Sequence, residues 1–473
     1  MSWSEALICS ALRSFIIAFC GTVIAVIAQA WLRNVAPQRK HFAWGFLLLP
    51  FFVPSLMTGF CYRDTSMALV HSPWLREFLY ALIVMMQTVP VGVIILHFSP
   101  PAETSASSLY SAGLIRLKLL ERLKLLLSSH CQYRIAAFCM LFLLSFQESD
   151  LAALMQASGW TEWMFTKHIG GLALGETIRL SLWPVLIQVP MLVPIVIWLG
   201  KDSSTRNGEF APPREVKFFG QLFVIFWVAI ANVFVFAIPF IQMIKGTMVG
   251  IDSLLQQPSI FRELGDAFLL ATTSALLTII VAAVVFSNRN GQSLQRLRIP
   301  VLFFLLLPGS MGSLALGLLL AGIFQTETFQ FAYDTPLPLI LGEFCLILPK
   351  ALILIYCLGK LNPAGGEYWV SLLNQSQVNQ HQRTAKELAW QMTGRRRFAI
   401  LVIVWFWAYF EVMLPSILAM PGLAPIGLVL YNNLHYGRIA ALGAKLALML
   451  LLPIISAVGY LLVRRKLSKL SHL

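Results

Sequence analysis

Five polar residues sit inside long apolar runs of this 473-residue chain: Gln87, Glu148, Glu343, Lys350 and Glu411. A charge that faces lipid costs roughly 2.5–3.5 kcal/mol even on the mildest scale, so an acid retained in such a run is expected to face a protein interior or a wet route. Carboxylates lining a route would favour a cationic or polar solute. Glu148 and Glu411 are equally suited to capping an interrupted helix, and Asp150 beside Glu148 agrees with that use. Glu343 and Lys350 are seven residues apart, hence on one helical face, with Pro349 between them opening the backbone. Lys350 then either faces a route or snorkels toward the inner membrane surface. Gln87, close to Pro90, is the corresponding polar residue of an earlier run. Arg13 and Arg179 lie near helix ends, where local partners are expected.

Reaction chemistry finds less support. The chain has no G-x-x-x-x-G-K-[ST] phosphate loop, so any nucleotide must be handled by separate subunits. Its eight histidines, among them His71, His168, His381 and His435, show no i, i+4 ligand spacing. Seven cysteines include no CxxC pair and fall mostly in apolar runs, where they act as small packing residues. The expectation is a non-enzyme with no cofactor and no metal.

The elements that must hold those polar residues are membrane helices. Hydrophobic residues make up 58% of the chain and charged residues only 12%, with a mean hydropathy of +0.76. That is too little charge to cover a water-facing surface. The net charge of +14 is dispersed over short connections, without the basic-aromatic platform that nucleic acid requires. A bilayer core needs roughly 20 apolar residues per helix, and about 11 such runs (11–12) are present. They lie near 12–32, 42–60, 78–98, 134–156, 175–200, 217–244, 264–287, 299–322, 336–358, 398–420 and 439–463. With the N-terminus outside, 25 lysines and arginines fall in inward connections and six in outward ones, as the positive-inside rule demands. The C-terminus is then cytoplasmic. The first run is long and lacks a basic leader, so it is expected to be an anchor and not a cleaved signal.

The runs repeat. Leu47-Leu48-Leu49-Pro50, then Ser55-Leu56 and Gly59, recurs as Leu305-Leu306-Leu307-Pro308, then Ser313-Leu314 and Gly317, at a shift of 258. Pro90 is echoed by Pro349 and Glu148 by Glu411, at shifts of 259 and 263. Prolines 50, 308, 90 and 349 are the expected helix breaks. The chain therefore divides into a first half, 1–200, a cytoplasmic linker, 201–216, and a second half, 217–473. Two five-helix repeats in parallel, plus one extra helix, make an all-α polytopic membrane protein.

Each half has one long inward connection after its third repeat helix, 99–133 and 359–397. Connections of that length are usually functional or disordered. The first has Leu114, Leu117, Leu120, Leu123 and Leu127 at threes and fours, with basic residues on other faces. Such a helix either lies on the membrane surface or docks a soluble partner.

This layout, with a Leu-Leu-Pro second helix, a Pro-centred third, a long cytoplasmic loop and a fourth helix that ends in an aromatic-acid phrase, resembles the permease subunits of binding-protein-dependent ABC importers. It is most similar to the fused type found in ferric iron and thiamine importers, over nearly the whole chain. The resemblance implies a bacterial inner-membrane permease partnered by a cytoplasmic ABC ATPase dimer and a periplasmic or extracellular substrate-binding protein. It also implies that the long loops carry coupling helices. Their family signature is an acidic residue, two alanines and a later glycine. Counting back from Glu148 reaches Gly113, and counting back from Glu411 reaches Leu372–Val378, so Gly113, Leu117, Leu120, Leu373, Asn374 and Gln375 are the implied coupling residues. The acidic residue and alanines are missing from both places, and the second also lacks the glycine. Glu387-Leu388-Ala389 with Gly394 is closer in letters but lies too near the following helix. The residues leave two other functions open: an ion-coupled secondary transporter, and a scaffold with the same fold that no longer transports.

Overall fold

The structure is a computed structural model describing residues 2–99, 119–200, 218–255, 259–287, 292–359, 366–376, 378–435 and 442–455. Among the described residues there is no strand, and the chain is an all-α, multi-pass membrane protein. Among the described residues six helices are long and apolar enough to cross a membrane, eight if each sharply bent pair counts as one span. The other three runs expected from the sequence hold shorter apolar helices. Two of these stop at breaks near Glu148 and Glu411, and the third reaches the edge of the described residues.

The first part comprises α1 (Trp3–Asn34), α2 (Pro37–Phe52), α3 (Ser55–Ala68), α4 (Pro73–Phe98), α5 (Leu119–Phe146), α6 (Asp150–Met155), α7 (Trp160–Ile169) and α8 (Leu174–Gly200). Next come α9 (Phe218–Asn232) and α10 (Ile238–Leu255), joined by a π turn, Val233–Ala237. Then follow α11 (Ile260–Ser287), α12 (Gln292–Ser310), α13 (Ser313–Phe324), α14 (Leu337–Gly359), α15 (Gly366–Asn374) and α16 (Asn379–Ala389). A π turn, Trp390–Gly394, leads into α17 (Arg395–Tyr409), and α18 (Met413–Leu418), α19 (Ile426–His435) and α20 (Leu442–Ile455) are the last of the described elements.

Helix ends recur at the shifts the motifs show. Adding 258 to Phe52 and Ser55, which flank the first break, gives Ser310 and Ser313, which flank the second. Adding 263 to Phe146, Asp150 and Met155 gives Tyr409, Met413 and Leu418, the ends of α17 and α18. Packing repeats as well: α1, α4 and α5 pack on one another, as do α11, α14 and α17.

The breaks are sharper than proline content alone explains, and their positions correct the expectation. Pro50 and Pro308 lie inside α2 and α12, and the chain bends three or four residues later, by 66° and 97°. In the first break Pro54 keeps Val53 extended (φ −75°, ψ 123°), as a residue before proline must be. At the equivalent place in the second, Gly312 adopts φ 84°, which is open to glycine and costly for other residues. Pro90 and Pro349 break nothing: α4 and α14 run through them. A proline removes one helical N–H, and in a packed membrane helix the freed carbonyl finds another partner. Pro50 shows how, since the Phe46 carbonyl it orphans accepts a 2.8 Å bond from Asn232 Nδ2 on α9.

The matched glycines bring the broken pieces together. A Cβ on Gly59 would lie 2.9 Å from Leu154 Cβ, and one on Gly317 would lie 3.0 Å from Ile417 Cδ1. Leu154 and Ile417 are themselves 263 apart, so α3 rests on α6 as α13 rests on α18. The repeats also meet each other: Phe165 on α7 touches Tyr431 on α19, and Phe52 on α2 stacks on Trp407 of α17.

Candidate functional site

Glu148 and Glu411 occupy equivalent three-residue gaps, 147–149 and 410–412, between a long helix and a six-residue one. Each carboxylate turns forward onto that short helix. Glu148 Oε1 accepts from Leu151 N–H at 2.9 Å, and Glu411 Oε1 accepts from Leu414 N–H at 3.4 Å. Both acids thus satisfy orphan donors at a helix start. Capping uses one oxygen of each, and the two side chains still come within charge-interaction range of each other. Capping and facing the interior are therefore compatible.

Lys350 of α14 and Asp150, the first residue of α6, complete the cluster. Lys350 lies within charge range of Glu148, Asp150 and Glu411, and its Nζ sits 5.6 Å from the centre of the Trp407 ring. Glu148, Asp150 and Glu411 are each partly buried. Among the described residues no group of three or more His, Cys, Asp or Glu is close enough to hold a metal ion.

The two interruptions are also hydrogen-bonded across the halves. Gln147 Nε2 donates to the Ser310 carbonyl at 2.6 Å, and the Ser149 and Ser313 hydroxyls lie 3.3 Å apart. Gln147 Nε2 also approaches Gln188 Oε1 on α8 at 3.4 Å. Thus the gap in the fourth helix of one half is stapled to the bend in the second helix of the other.

The remaining sequence candidates are more peripheral. Glu343 is buried and accepts from Ser274 Oγ of α11 at 2.8 Å, with Glu411 in charge range. It shares α14 with Lys350, but the two side chains meet different helices. Gln87 is buried and donates to Thr58 Oγ1 of α3 at 3.4 Å. Arg13 lies inside α1 and not near its end, and its partners are distant in sequence: it pairs with Glu77 of α4 at 2.6 Å and donates to the Ser158 carbonyl at 2.8 Å.

Of the implied coupling residues, Gly113 and Leu117 lie outside the described residues, and Leu120 falls in α5. Leu373 and Asn374 end α15, and Gln375 enters the turn to α16. These two short helices pack on each other, and Tyr368, Trp369 and Leu372 of α15 are exposed.

Sequence reasoning missed Gln147, Ser149, Asp150, Ser310 and Ser313 as partners in one network. Asp150 was detectable as a second acid in the same run. The serines and glutamine carry no signal alone, because only the crossing of two distant breaks makes them neighbours. Comparison with known proteins finds no matching family profile, no similar curated protein and no similar solved structure.

Proposed function

We propose that this chain is the fused, two-half permease subunit of a binding-protein-dependent ABC importer. It moves a small solute across the bacterial inner membrane with energy from a separate cytoplasmic ATPase dimer, and a periplasmic or extracellular substrate-binding protein delivers the cargo. In this reading 11 helices cross the membrane, N-terminus out and C-terminus in, with α9–α10 as the extra element between two parallel repeats.

One observation carries the proposal: Glu148 and Glu411 occupy equivalent gaps 263 residues apart and lie within charge range of each other. A duplicated bundle with interrupted helices and inward acids is how membrane proteins build a route at a repeat interface. The contact between α7 and α19 supports a parallel relation, because equivalent connections can touch only when they lie on one side. The exposed aromatic face of α15, in the long inward loop, supports docking of a soluble partner there.

The deciding experiment is affinity purification of the tagged chain from its native membrane, followed by reconstitution. An importer subunit brings an ATPase with it and supports ATP-dependent uptake when the substrate-binding protein is added. Purification as a lone chain whose uptake follows an ion gradient would establish a secondary transporter instead. A stable ATPase complex without uptake would establish a scaffold.

A further inference from the structure

Helices α8 and α12 run side by side, and their apolar spans end at one level. The span of α8 stops at Gly200 and that of α12 begins at Arg298, and a Cβ on Gly200 would lie 3.0 Å from Ile299 Cγ1. Toward the membrane interior the two helices leave a groove of about 300 Å³ between Val193, Val196 and Ile197 of α8 and Ile299, Pro300, Phe303 and Phe304 of α12. Every lining side chain is apolar, and Phe304 is 70% exposed. In the first half the chain itself packs on the matching helix. Phe46, the counterpart of Phe304 at the shift of 258, lies on α2, where α9 packs and Asn232 Nδ2 donates to the Phe46 carbonyl. Among the described residues the groove is lined by α8 and α12 alone.

One charge stands at the mouth of the groove. Arg298 is half-buried beside Ile299, and its Nη2 donates to the Leu199 carbonyl at the end of α8 at 3.4 Å. Its guanidinium stays charged at every physiological pH. A cation at the end of a span, with an apolar groove leading from it into the membrane, matches the two parts of an anionic phospholipid, phosphate and acyl chain. The groove has room for a chain but not for a helix: two helical turns, 10–12 Å across, fill on the order of 1,000 Å³.

We propose that α8 and α12 form a binding site for an anionic phospholipid, with one acyl chain in the groove and the headgroup phosphate at Arg298. The site lies on the seam between the halves, so a bound lipid touches one helix of each. Apolar contact holds the chain, and Arg298 favours a net negative headgroup over a zwitterionic one. The proposal goes beyond the transport reading above and does not depend on it.

The test is photolabelling of the purified full-length chain in phosphatidylcholine nanodiscs, using trace phosphatidylglycerol or phosphatidylcholine with the same diazirine-bearing acyl chain. Peptide mass spectrometry locates the adducts. Both probes should label 193–197 and 299–304, phosphatidylglycerol roughly fivefold more, as one basic residue at a membrane surface provides. Arg298→Gln should bring the ratio close to one, whereas Arg298→Lys should keep it. Ile197→Trp, which fills the groove, should remove the adducts of both probes. Thermal unfolding identifies the variants that fold, and the wild-type ratio decides the matter without them. Equal labelling of the wild type by the two probes, or an undiminished ratio in folded Arg298→Gln, overturns the proposal. Loss of the preference in excess inorganic phosphate would assign Arg298 to a free anion instead. In native membranes, cross-links from 299–304 to a protein in place of lipid adducts would give the groove to a partner helix, and the lipid site would fall.

Discussion

The rings of Phe165 and Tyr431 meet edge to face, 5.9 Å apart, and each is the sixth residue of its helix, α7 and α19. Adding 266 to Trp160 and Phe165 gives Ile426 and Tyr431. A residue touching its own counterpart marks the axis that relates the halves, and Asp150 lies in charge range of Tyr431. In a background with the native cysteines replaced, Phe165→Cys with Tyr431→Cys should be joined in high yield by a short bifunctional thiol reagent. Uptake should stop when they are joined and return when the link is cleaved. Efficient cross-linking with undiminished uptake would show that the contact does not gate the route.

Gly59 and Gly317 allow α3 and α13 to lie against the short helices after each gap. Gly59→Ala should destabilise the protein by about 1–3 kcal/mol through overpacking against Leu154. Gly317→Ala should cost less, because the end of the flexible Ile417 side chain can yield. Thermal unfolding in detergent measures both, and Leu154→Ala should relieve the first in part, because it removes the outer side chain but keeps the Cβ. Gly59→Ala with wild-type stability would contradict the close approach.

Arg13 and Glu77 tie α1 to α4, and Glu77 also accepts from Ser158 N–H at 2.6 Å. Their side chains are 10% and 23% exposed, so removing either partner leaves a poorly hydrated charge. Such single losses cost about 3–5 kcal/mol, whereas replacing both partners by apolar residues is often close to neutral. Arg13→Met and Glu77→Leu, singly and together, form the cycle to measure by unfolding. Additive losses would mean that the pair does not couple.

Glu162, on α7 and outside the candidate spans, has its carboxyl pushed up to about 7 by burial, partly offset by a 3.3 Å bond from the Thr166 hydroxyl. Its folded value lies above its ordinary value of 4.5, so the folded state holds the proton more tightly than the unfolded one. Stability from this group is therefore full below pH 4.5, falls as the pH rises toward 7, and stays reduced above it. The loss is roughly 3 kcal/mol at most. Glu162→Gln should raise the unfolding temperature at pH 8 and change little at pH 4. Equal effects at the two pH values would rule out the shift.

The α15 face with Tyr368, Trp369 and Leu372 is exposed although it is aromatic and apolar. Trp369→Asp should leave the chain inserted but reduce ATPase association in pull-downs by roughly tenfold, as expected for an aromatic anchor. Substrate-stimulated ATP hydrolysis should fall with it. Deletion of 372–382 should abolish that stimulation. Normal stimulation in either variant would remove α15 from the coupling path.

Much of this arrangement is legible in the sequence because it depends on local properties. Apolar run length identifies membrane helices, and a repeated phrase such as Leu47–Pro50 and Leu305–Pro308 reveals duplication without any knowledge of contacts. Glu148 and Glu411 stand out for the same reason: a lone acid in an apolar run is costly wherever the helix packs.

Tertiary structure decided what those residues touch. Whether a proline bends its helix depends on who satisfies the freed carbonyl, so Pro90 and Pro349 pass unbroken while Pro54 and Gly312 mark the turns. Lys350 lies on Trp407 because α14 and α17 pack side by side. Gln147 meets Ser310 across 163 residues of chain, a neighbourhood that no local pattern encodes. Hydropathy and repetition act along the chain and survive in one dimension, whereas the cluster arises from helix crossings and exists only once the two halves have met.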